Sequence, residues 1–361
     1  MLRSSTTSVV GGNGNDILRV PSGHSLFDTT FDGGKGSDTL DLTNYSTRGV
    51  TIQLIDGYIH SNGSSVTDVA YTGVPAASAP LTGSVRGTIK NVENLTGSAG
   101  NDVLVVDIKG VVTTINGGDG NDYLYANVYD NSATLIGGHG NDWLLSLAPS
   151  TTLVGGTMDA TGAHGDGQRD FFELGPYATI LDFELGTDRL IFSSNHSMDA
   201  AFAAGQWISD GKGGSTFMVN GAAEVTLAGI APALAQTIDY GFHYVPDNGV
   251  LQGSSGKDVL QTNVNQVDRV IVGANSNDDI VTHFDPAMDV LQFNDGLQPN
   301  WSDSVVNGMP SLLATFAGGS LTLTGLTTAD LANMHIDGVS GFPSTSTPML
   351  SYWSVSTDHL V

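Results

Sequence analysis

A short glycine- and aspartate-rich phrase recurs along this chain of 361 residues and restricts its possible folds more than any other feature. Six segments read Gly-x-x-Gly-x-Asp-x-aliphatic, and they begin at Gly11, Gly33, Gly97, Gly117, Gly137 and Gly253. A degenerate seventh segment begins at Gly273 and keeps Asp278 and Ile280. Because units repeated at short intervals bury their apolar faces by stacking on one another, we expect a solenoid.

The spacing of these segments predicts the size of one coil. Gly97, Gly117 and Gly137 lie 20 residues apart. Runs rich in β-branched residues, which favour strands, fall between the glycine loops at 111–115, 132–136 and 151–154. Since these runs lack the glycine and aspartate pattern, we expect the glycine loops of all coils to stack along a single edge of the solenoid.

The residue types of the loops are those that a calcium site needs. Glycine accepts positive φ and lets stacked backbones approach, so that loop carbonyls face one another. Each loop aspartate adds a carboxylate oxygen, and calcium takes six to eight oxygen ligands. Ordinary turns of an all-β protein are the alternative, above all for the isolated pair within 11–40. We expect the aliphatic residue two positions after each aspartate to turn inward; these residues are Leu18, Leu40, Leu104, Leu124, Leu144 and Leu260.

These loops resemble the repeat-in-toxin (RTX) family of hemolysin-type calcium-binding repeats, and the match is most specific in the tandem stretch from Gly97 to Asp142. The resemblance implies an all-β fold, a right-handed parallel β-roll stapled by several calcium ions and finished by β-rich caps. It also implies that aspartate and loop carbonyl oxygens bind each ion. The ligands expected on this basis are Asp16, Asp38, Gly97, Gly100, Asp102, Gly117, Asp119, Gly120, Asp122, Gly137, Gly140, Asp142, Asp170, Asp258 and Asp278.

Asp170 belongs to this set through a less regular loop. The glycine pair that begins at Gly155 opens a loop, takes in extra residues and closes at Asp170. Either an irregular calcium loop or a flexible excursion fits this segment. Asp182, Asp188 and Asp289 are likewise either additional ligands or plain turn residues.

The other segments predict how the chain is organised. The phrase at 91–104 is similar to the one that commonly re-enters such rolls after an inserted hairpin. Residues 180–192 align with 281–293, so the second half repeats the first, and both copies resemble caps that cover the ends of solenoids. We predict N-terminal β-roll coils at 1–42, an inserted β segment at 43–96, a central β-roll at 97–172, a first cap at 173–245, a second short β-roll at 246–281, a second cap at 282–339 and a C-terminal secretion tail at 340–361.

The charge balance limits the partners. The formal net charge is −25, from 37 acidic and 12 basic residues, which argues against nucleic acid and anionic membrane surfaces. All but four of the acidic residues are aspartates, which favour turns and chelation rather than helices. We therefore expect calcium ions as the main partner. There is no cysteine, so neither a disulfide nor a thiolate metal site is expected.

Both ends of the sequence bear on its location. No signal-peptide-like apolar stretch follows Met1, and no apolar run is long enough to predict a membrane span. Residues 358–361 read Asp-His-Leu-Val after a Ser/Thr-rich tail and resemble the uncleaved C-terminal signal of type I secretion substrates. We expect a secreted, extracellular bacterial protein that uses the type I secretion machinery.

Three functions fit these features. The first is a calcium-binding RTX β-roll protein that folds on calcium binding after type I secretion and has a structural or binding role. The second is an adhesin or surface-layer protein that binds extracellular polysaccharide or the cell surface. The third is the C-terminal part of, or a small, extracellular hydrolase, lyase or epimerase. No H-E-x-x-H, G-x-S-x-G or P-loop motif is present, and no catalytic residue is predicted.

Overall fold

The computed structural model of the chain consists almost entirely of strands. It describes residues 7–22, 29–55, 58–61, 85–107, 114–126, 132–147, 150–175, 177–193, 201–202, 204–238, 240–244, 249–263, 266–274, 276–294, 296–306 and 309–340. The expected secretion signal at 358–361 lies outside the described residues.

Short strands alternate with glycine-rich turns from one end to the other, as β-branched runs between turn residues dictate. The first third contains β1 (Thr7–Asn13), β2 (Ile17–Arg19), β3 (Thr29–Lys35), β4 (Thr39–Asp41), β5 (Thr51–Ile55), β6 (Tyr58–Ser61), β7 (Val85–Lys90), β8 (Asn94–Thr96) and β9 (Val103–Asp107). The central part contains β10 (Thr114–Asp119), β11 (Tyr123–Ala126), β12 (Thr134–His139), β13 (Trp143–Ser146), β14 (Thr152–Val154), β15 (Thr157–Asp159), β16 (Gly162–His164), β17 (Phe171–Leu174), β18 (Ala178–Ile180) and β19 (Arg189–Ser193).

The last part adds hairpins and two short helices whose bounds the structure describes. Its strands are β20 (Gln206–Ser209), β21 (Ser215–Val219), β22 (Ala222–Leu227), β23 (Gly241–Tyr244), β24 (Val250–Gln252), β25 (Val259–Gln261), β26 (Arg269–Val272), β27 (Asp279–Thr282), β28 (Val290–Phe293), β29 (Asn300–Val306), β30 (Met309–Phe316), β31 (Gly319–Thr324) and β32 (His335–Asp337). The helices are α1 (Pro232–Ala235) and a 3-10 turn (Asp330–Asn333). Both helices lie where helix-prone stretches follow the repeated strands.

Two β-layers face each other across the core. One layer is a 16-stranded sheet with the order β1-β3-β7-β6-β5-β9-β11-β13-β17-β19-β23-β25-β27-β31-β30-β29. The other layer consists of a 10-stranded sheet, β2-β4-β8-β10-β12-β14-β18-β22-β21-β20, and a 4-stranded sheet, β24-β26-β28-β32. Successive coils pair in parallel within each layer, which confirms the predicted parallel β-roll.

The central coils have the predicted size. Leu124 pairs in register with Leu144, and Ile115 with Leu135, so each coil takes 20 residues. Of the runs predicted as return strands, 132–136 contains the start of β12 and 151–154 contains all of β14. The hairpin β15–β16 is the extra segment inserted between β14 and β17.

The core lies between the layers and follows the alternation of side chains along each strand. The predicted inward leucines confirm this, because five of them are completely buried and Leu18 packs against the same cluster; the five are Leu40, Leu104, Leu124, Leu144 and Leu260. A second cluster lies on the other face of the 16-stranded sheet. There Trp143 stacks on Phe171 with ring centroids 4.8 Å apart, next to buried Tyr123 and Tyr125.

The prediction that all glycine loops share one edge is wrong. The loops at 11–16 and 33–38 lead from the 16-stranded sheet to the 10-stranded sheet, whereas those at 97–102, 117–122 and 137–142 lead back in the opposite direction. The two groups therefore lie at opposite edges of the roll. The reason is that the segment 91–93 takes the turn at the first edge after the insertion, and the glycine phrase resumes on the next half-coil.

Corresponding strands of the two repeated copies lie in opposite layers. In the first copy, β18 in the 10-stranded sheet precedes β19 in the 16-stranded sheet, but in the second copy β27 in the 16-stranded sheet precedes β28 in the 4-stranded sheet. Each copy ends in an antiparallel meander, β20–β22 in one layer and β29–β31 in the other. Similar phrases thus build similar turns at opposite edges.

Candidate metal centre

The aspartates of the central coils form a continuous hydrogen-bonded ladder along one edge. Each aspartate donates its backbone N–H to Oδ1 of the next one, over N···O distances of 2.7 to 3.1 Å. In chain order the members are Asp102, Asp122, Asp142, Asp170 and Asp188. The parallel register of the 16-stranded sheet creates this ladder, because each aspartate stands immediately before a strand or one residue from it.

The second carboxylate oxygen of the middle members has no such donor. Asp122 is 2% exposed and Asp142 is fully buried, yet Oδ2 of each lacks a hydrogen-bond partner among the described residues. Burial raises the pKa of both carboxyls well above the usual range, and for Asp122 the charges of Asp142 and Asp102 add to this effect. Burying an unpaired carboxylate is costly, and a bound cation removes that cost.

Backbone oxygens surround the same position. A Cβ added at Gly117 would collide with Asp122 Oδ2 and lie 2.6 Å from the carbonyl oxygen of Gly137. One coil further on, a Cβ at Gly137 would collide with both Asp142 Oδ2 and the carbonyl oxygen of Gly155. Each step of the ladder therefore joins a carboxylate oxygen to a carbonyl oxygen of the next coil. An all-oxygen set of this kind suits a hard cation such as calcium.

Comparison with known families agrees with this geometry. Residues 114–128, which contain the Gly117 loop and β11, match the family model described as the RTX calcium-binding nonapeptide repeat (4 copies). This coil is an RTX repeat. The chain is a calcium-binding β-roll, and RTX repeats are typical of secreted bacterial proteins. No curated protein matches the chain. Within the described residues, no helix has the length and apolar character needed to cross a membrane.

A second ladder lies at the opposite edge and contains the N-terminal glycine loops. Asp16 donates its backbone N–H to Asp38 Oδ1 at 2.7 Å, and Asp38 donates to Glu93 Oε2 at 2.8 Å. Oδ2 of Asp16 and of Asp38 is buried without a partner in the described part of the chain. Glu93 was not predicted, because its segment has no glycine. Its position immediately before β8 was the only signal.

The structure places Asp279, not the predicted Asp278, on the third ladder. Asp258 donates its backbone N–H to Asp279 Oδ1 at 2.9 Å, and Asp279 Oδ2 is buried with no partner among the described residues. Asp278 instead accepts a 2.7 Å hydrogen bond from Ser320 Oγ. The step is 21 residues, since Val259 pairs with Ile280. Asp258 and Asp279 are each followed by two aliphatic residues, and this shared pattern was the signal in the sequence that would have identified Asp279.

A fourth, short ladder was also missed. Asp268 donates its backbone N–H to Asp289 Oδ1 at 2.9 Å, at the edge opposite to Asp258 and Asp279. Backbone N–H groups of the loops satisfy the second carboxylate oxygen of both aspartates. The N–H of Asn263 donates to Asp268 Oδ2 at 2.5 Å, and the N–H of Asp285 donates to Asp289 Oδ2 at 2.9 Å. These aspartates fix their turns without needing a cation.

The other predicted ligands occupy three kinds of position. Asp119 is exposed at the end of β10, beside His139 of the next coil, and lies off the ladder. Gly100, Gly120 and Gly140 form their own column, in which a Cβ at Gly120 would lie 2.7 Å from the Gly100 carbonyl oxygen. Gly97 lies beside Asp102 Oδ2 and the Gly117 carbonyl oxygen.

Each ladder supplies one carboxylate per coil. Accordingly, no group of three or more His, Asp or Glu side chains is gathered as a metal site in the part of the chain that the structure describes. A cation bound here would take its remaining ligands from backbone carbonyls. The ladders thus differ from a compact side-chain metal centre, and each position depends on two adjacent coils.

Proposed function

We propose that this chain is an extracellular RTX β-roll protein that folds when several calcium ions complete its aspartate ladders. The observation that carries the proposal is the set of buried carboxylate oxygens that have no donor among the described residues. Four of them lie beside a backbone carbonyl of the segment stacked on their loop, namely those of Asp16, Asp38, Asp122 and Asp142. We assign the ions to the ladder positions that have such an oxygen, and to Asp170, which continues the central ladder. The proposed carboxylate ligands are Asp16, Asp38, Asp122, Asp142, Asp170 and Asp279.

The charge of the chain supports folding that depends on calcium. With a net charge of −25, the metal-free chain repels itself, and burying the ladder carboxylates without a cation opposes folding. A site occupied at 100 times its dissociation constant adds about 2.7 kcal/mol to stability. Three such sites would equal the total stability of about 5–15 kcal/mol that is usual for a domain. Calcium therefore decides whether the roll forms.

This dependence fits export in one step from a calcium-poor cytosol to a calcium-rich exterior. We propose that the type I secretion machinery exports the chain unfolded and that the uncleaved C-terminal residues 358–361 serve as the signal. The absence of cysteine is in keeping with this route, since ions rather than disulfides then stabilise the exported fold. Secretion of the chain and of a variant lacking 340–361 by a type I system tests this step.

Circular dichroism of the purified chain tests calcium-dependent folding. We expect a β-sheet spectrum in millimolar calcium and a largely unfolded spectrum after addition of a chelator, with recovery when calcium is restored. Magnesium is the matched control, because its small octahedral shell suits a cradle of stacked carbonyls poorly. A spectrum that does not respond to the chelator would contradict the proposal.

A further inference from the structure

The glycine loops fall into two kinds that differ at the second position of the phrase. Four loops have a glycine there, with φ between 102° and 120°; these glycines are Gly12, Gly34, Gly118 and Gly138. Two loops have a serine, Ser98 or Ser254, and neither serine has positive φ. Because such positive φ is open to glycine but costly for a residue with a Cβ, the residue type decides the course of the loop.

The two kinds of loop treat the aspartate differently. In the serine loop at 97–102, Ser98 donates its backbone N–H to Asp102 Oδ2 at 2.5 Å and its hydroxyl to Asp102 Oδ1 at 2.7 Å. Ser254 makes the same pair of hydrogen bonds to Asp258. In the four paired-glycine loops, Oδ2 of the aspartate has no donor among the described residues; these aspartates are Asp16, Asp38, Asp122 and Asp142.

We propose that Ser98 and Ser254 close their loops against calcium, so that Asp102 and Asp258 take no ion while the paired-glycine loops do. This proposal rests on the proposed calcium function of the ladders. The serine N–H and hydroxyl supply to the carboxylate the positive partners that calcium supplies elsewhere. The residue at the second position thus sets which of these six loops need metal.

The location of the serine loops explains why closure is useful there. Each stands at the start of its ladder, where the carboxylate accepts a hydrogen bond from chain outside the glycine phrase. Val50 donates to Asp102 Oδ1 at 2.6 Å, and Phe242 donates to Asp258 Oδ1 at 2.8 Å. The segments that precede these loops and stack on them, at 46–50 and 240–242, carry no glycine phrase. With its carboxylate satisfied by the serine, the first aspartate of each ladder is therefore held in place without an ion, and the next coil can stack on it.

The test counts calcium ions bound to the full chain after equilibrium dialysis, by elemental analysis, in the wild type and in Ser98→Gly and Ser98→Ala. Glycine removes the hydroxyl and lets the loop take positive φ, so we expect one additional ion per chain. Alanine removes the hydroxyl but keeps the backbone N–H on Asp102, so we expect the wild-type number. Ser254→Gly and Ser254→Ala repeat the comparison at Asp258, independently of whether the first pair folds.

The outcomes separate this proposal from the proposed function. A wild type that binds no calcium contradicts the calcium function itself. A wild type that binds calcium, together with glycine variants that bind no more ions than their alanine partners, overturns the role of serine alone. Extra calcium in the alanine variants also overturns it, because the backbone N–H would then not close the loop.

Discussion

Asp122 donates its backbone N–H to Oδ1 of Asp142, 20 residues further along the chain, at 2.8 Å. The backbone of one coil therefore fixes the carboxylate of the next, and this relationship recurs along the ladder. It leaves the other carboxylate oxygen facing a glycine and a backbone carbonyl. Removing the charge of the aspartate, replacing the neighbouring glycine and protonating the carboxylate should therefore each change stability in a different way.

Replacing Asp142 with asparagine should weaken calcium-dependent stability. The asparagine side chain has no charge. Depending on its orientation, its NH2 group replaces the oxygen that faces the expected cation or the oxygen that accepts the backbone hydrogen bond. If the site is normally occupied at about 100 times its dissociation constant, we expect a loss of about 2.7 kcal/mol in the free energy of unfolding in calcium. Denaturant unfolding in calcium measures it.

Asp119→Asn is the matched control, since Asp119 belongs to an adjacent loop of the same roll but is exposed. We expect its effect to stay within about 0.5 kcal/mol, as for most surface substitutions. Equal losses in the two variants would mean that overall charge, and not the ladder position, governs stability.

Replacing Gly137 with alanine should block one step of the ladder. The added Cβ would collide with Asp142 Oδ2 and the Gly155 carbonyl oxygen. Overpacking of this kind costs about 1–3 kcal/mol, and we also expect fewer calcium ions per chain. Thermal unfolding and elemental analysis measure the two effects. His139→Ala, at an exposed position of the same loop, should change neither.

Calcium-free protein should be more stable in mild acid than at pH 8. Burial raises the pKa of Asp170 to about 9, of Asp279 to about 8 and of Asp188 to about 7. Their protonated forms favour the fold, so this contribution is complete below the unfolded pKa near 3.8 and disappears as the pH rises through about 7 to 9.

Circular dichroism of the chain in a chelator between pH 5 and 8 measures this dependence, because the folded fraction should rise as the pH falls. The slope is at most about 1.4 kcal/mol per pH unit for each proton released. With calcium present the trend should reverse, because protons compete with calcium for the same oxygens. Stability in the chelator that rises with pH would count against buried protonated aspartates.

Removing the charge of Glu173 should destabilise the roll whether or not calcium is bound. Glu173 is buried, accepts a 3.0 Å hydrogen bond from Trp143 Nε1 and pairs with His243. Burial lowers the pKa of His243, but the charge and hydrogen bond of Glu173 outweigh burial and raise it. Breaking such a buried pair costs about 3–5 kcal/mol, which unfolding of Glu173→Gln should show.

The half-buried Glu224 offers a control, and Glu224→Gln should have little effect. The difference between the two glutamates should be the same at saturating calcium and at low calcium, provided the roll is folded in both. A calcium-dependent difference would tie Glu173 to the ladders.

The features that the sequence predicted are those set by local pattern. The inward leucines follow from the phrase itself, and the 20-residue coil follows from its spacing. The missed features depend on register across coils. Asp279 displaced Asp278 because one additional loop residue shifts all following side chains to the other face of the sheet.

Long-range hydrogen bonds were equally invisible in the sequence. Glu93 and Asp268 join ladders through a backbone N–H and a carboxylate that lie tens of residues apart, and their segments carry no paired glycines. The change of edge between Asp38 and Asp102 escaped prediction for another reason. The glycine phrase has the same sequence whichever half of a coil carries it. Only the path of the segment between two phrases therefore decides at which edge of the roll the next one lies.

The 16-stranded sheet has one more consequence. In that layer β23 pairs with β19 on one side and β25 on the other, so a single sheet continues past the point where the opposite layer is divided into separate sheets. Melting the coils on either side of β23 would leave this strand with an open edge and expose the apolar face beneath it. We therefore expect the two halves to unfold as one cooperative unit, with ions at one end protecting coils at the far end.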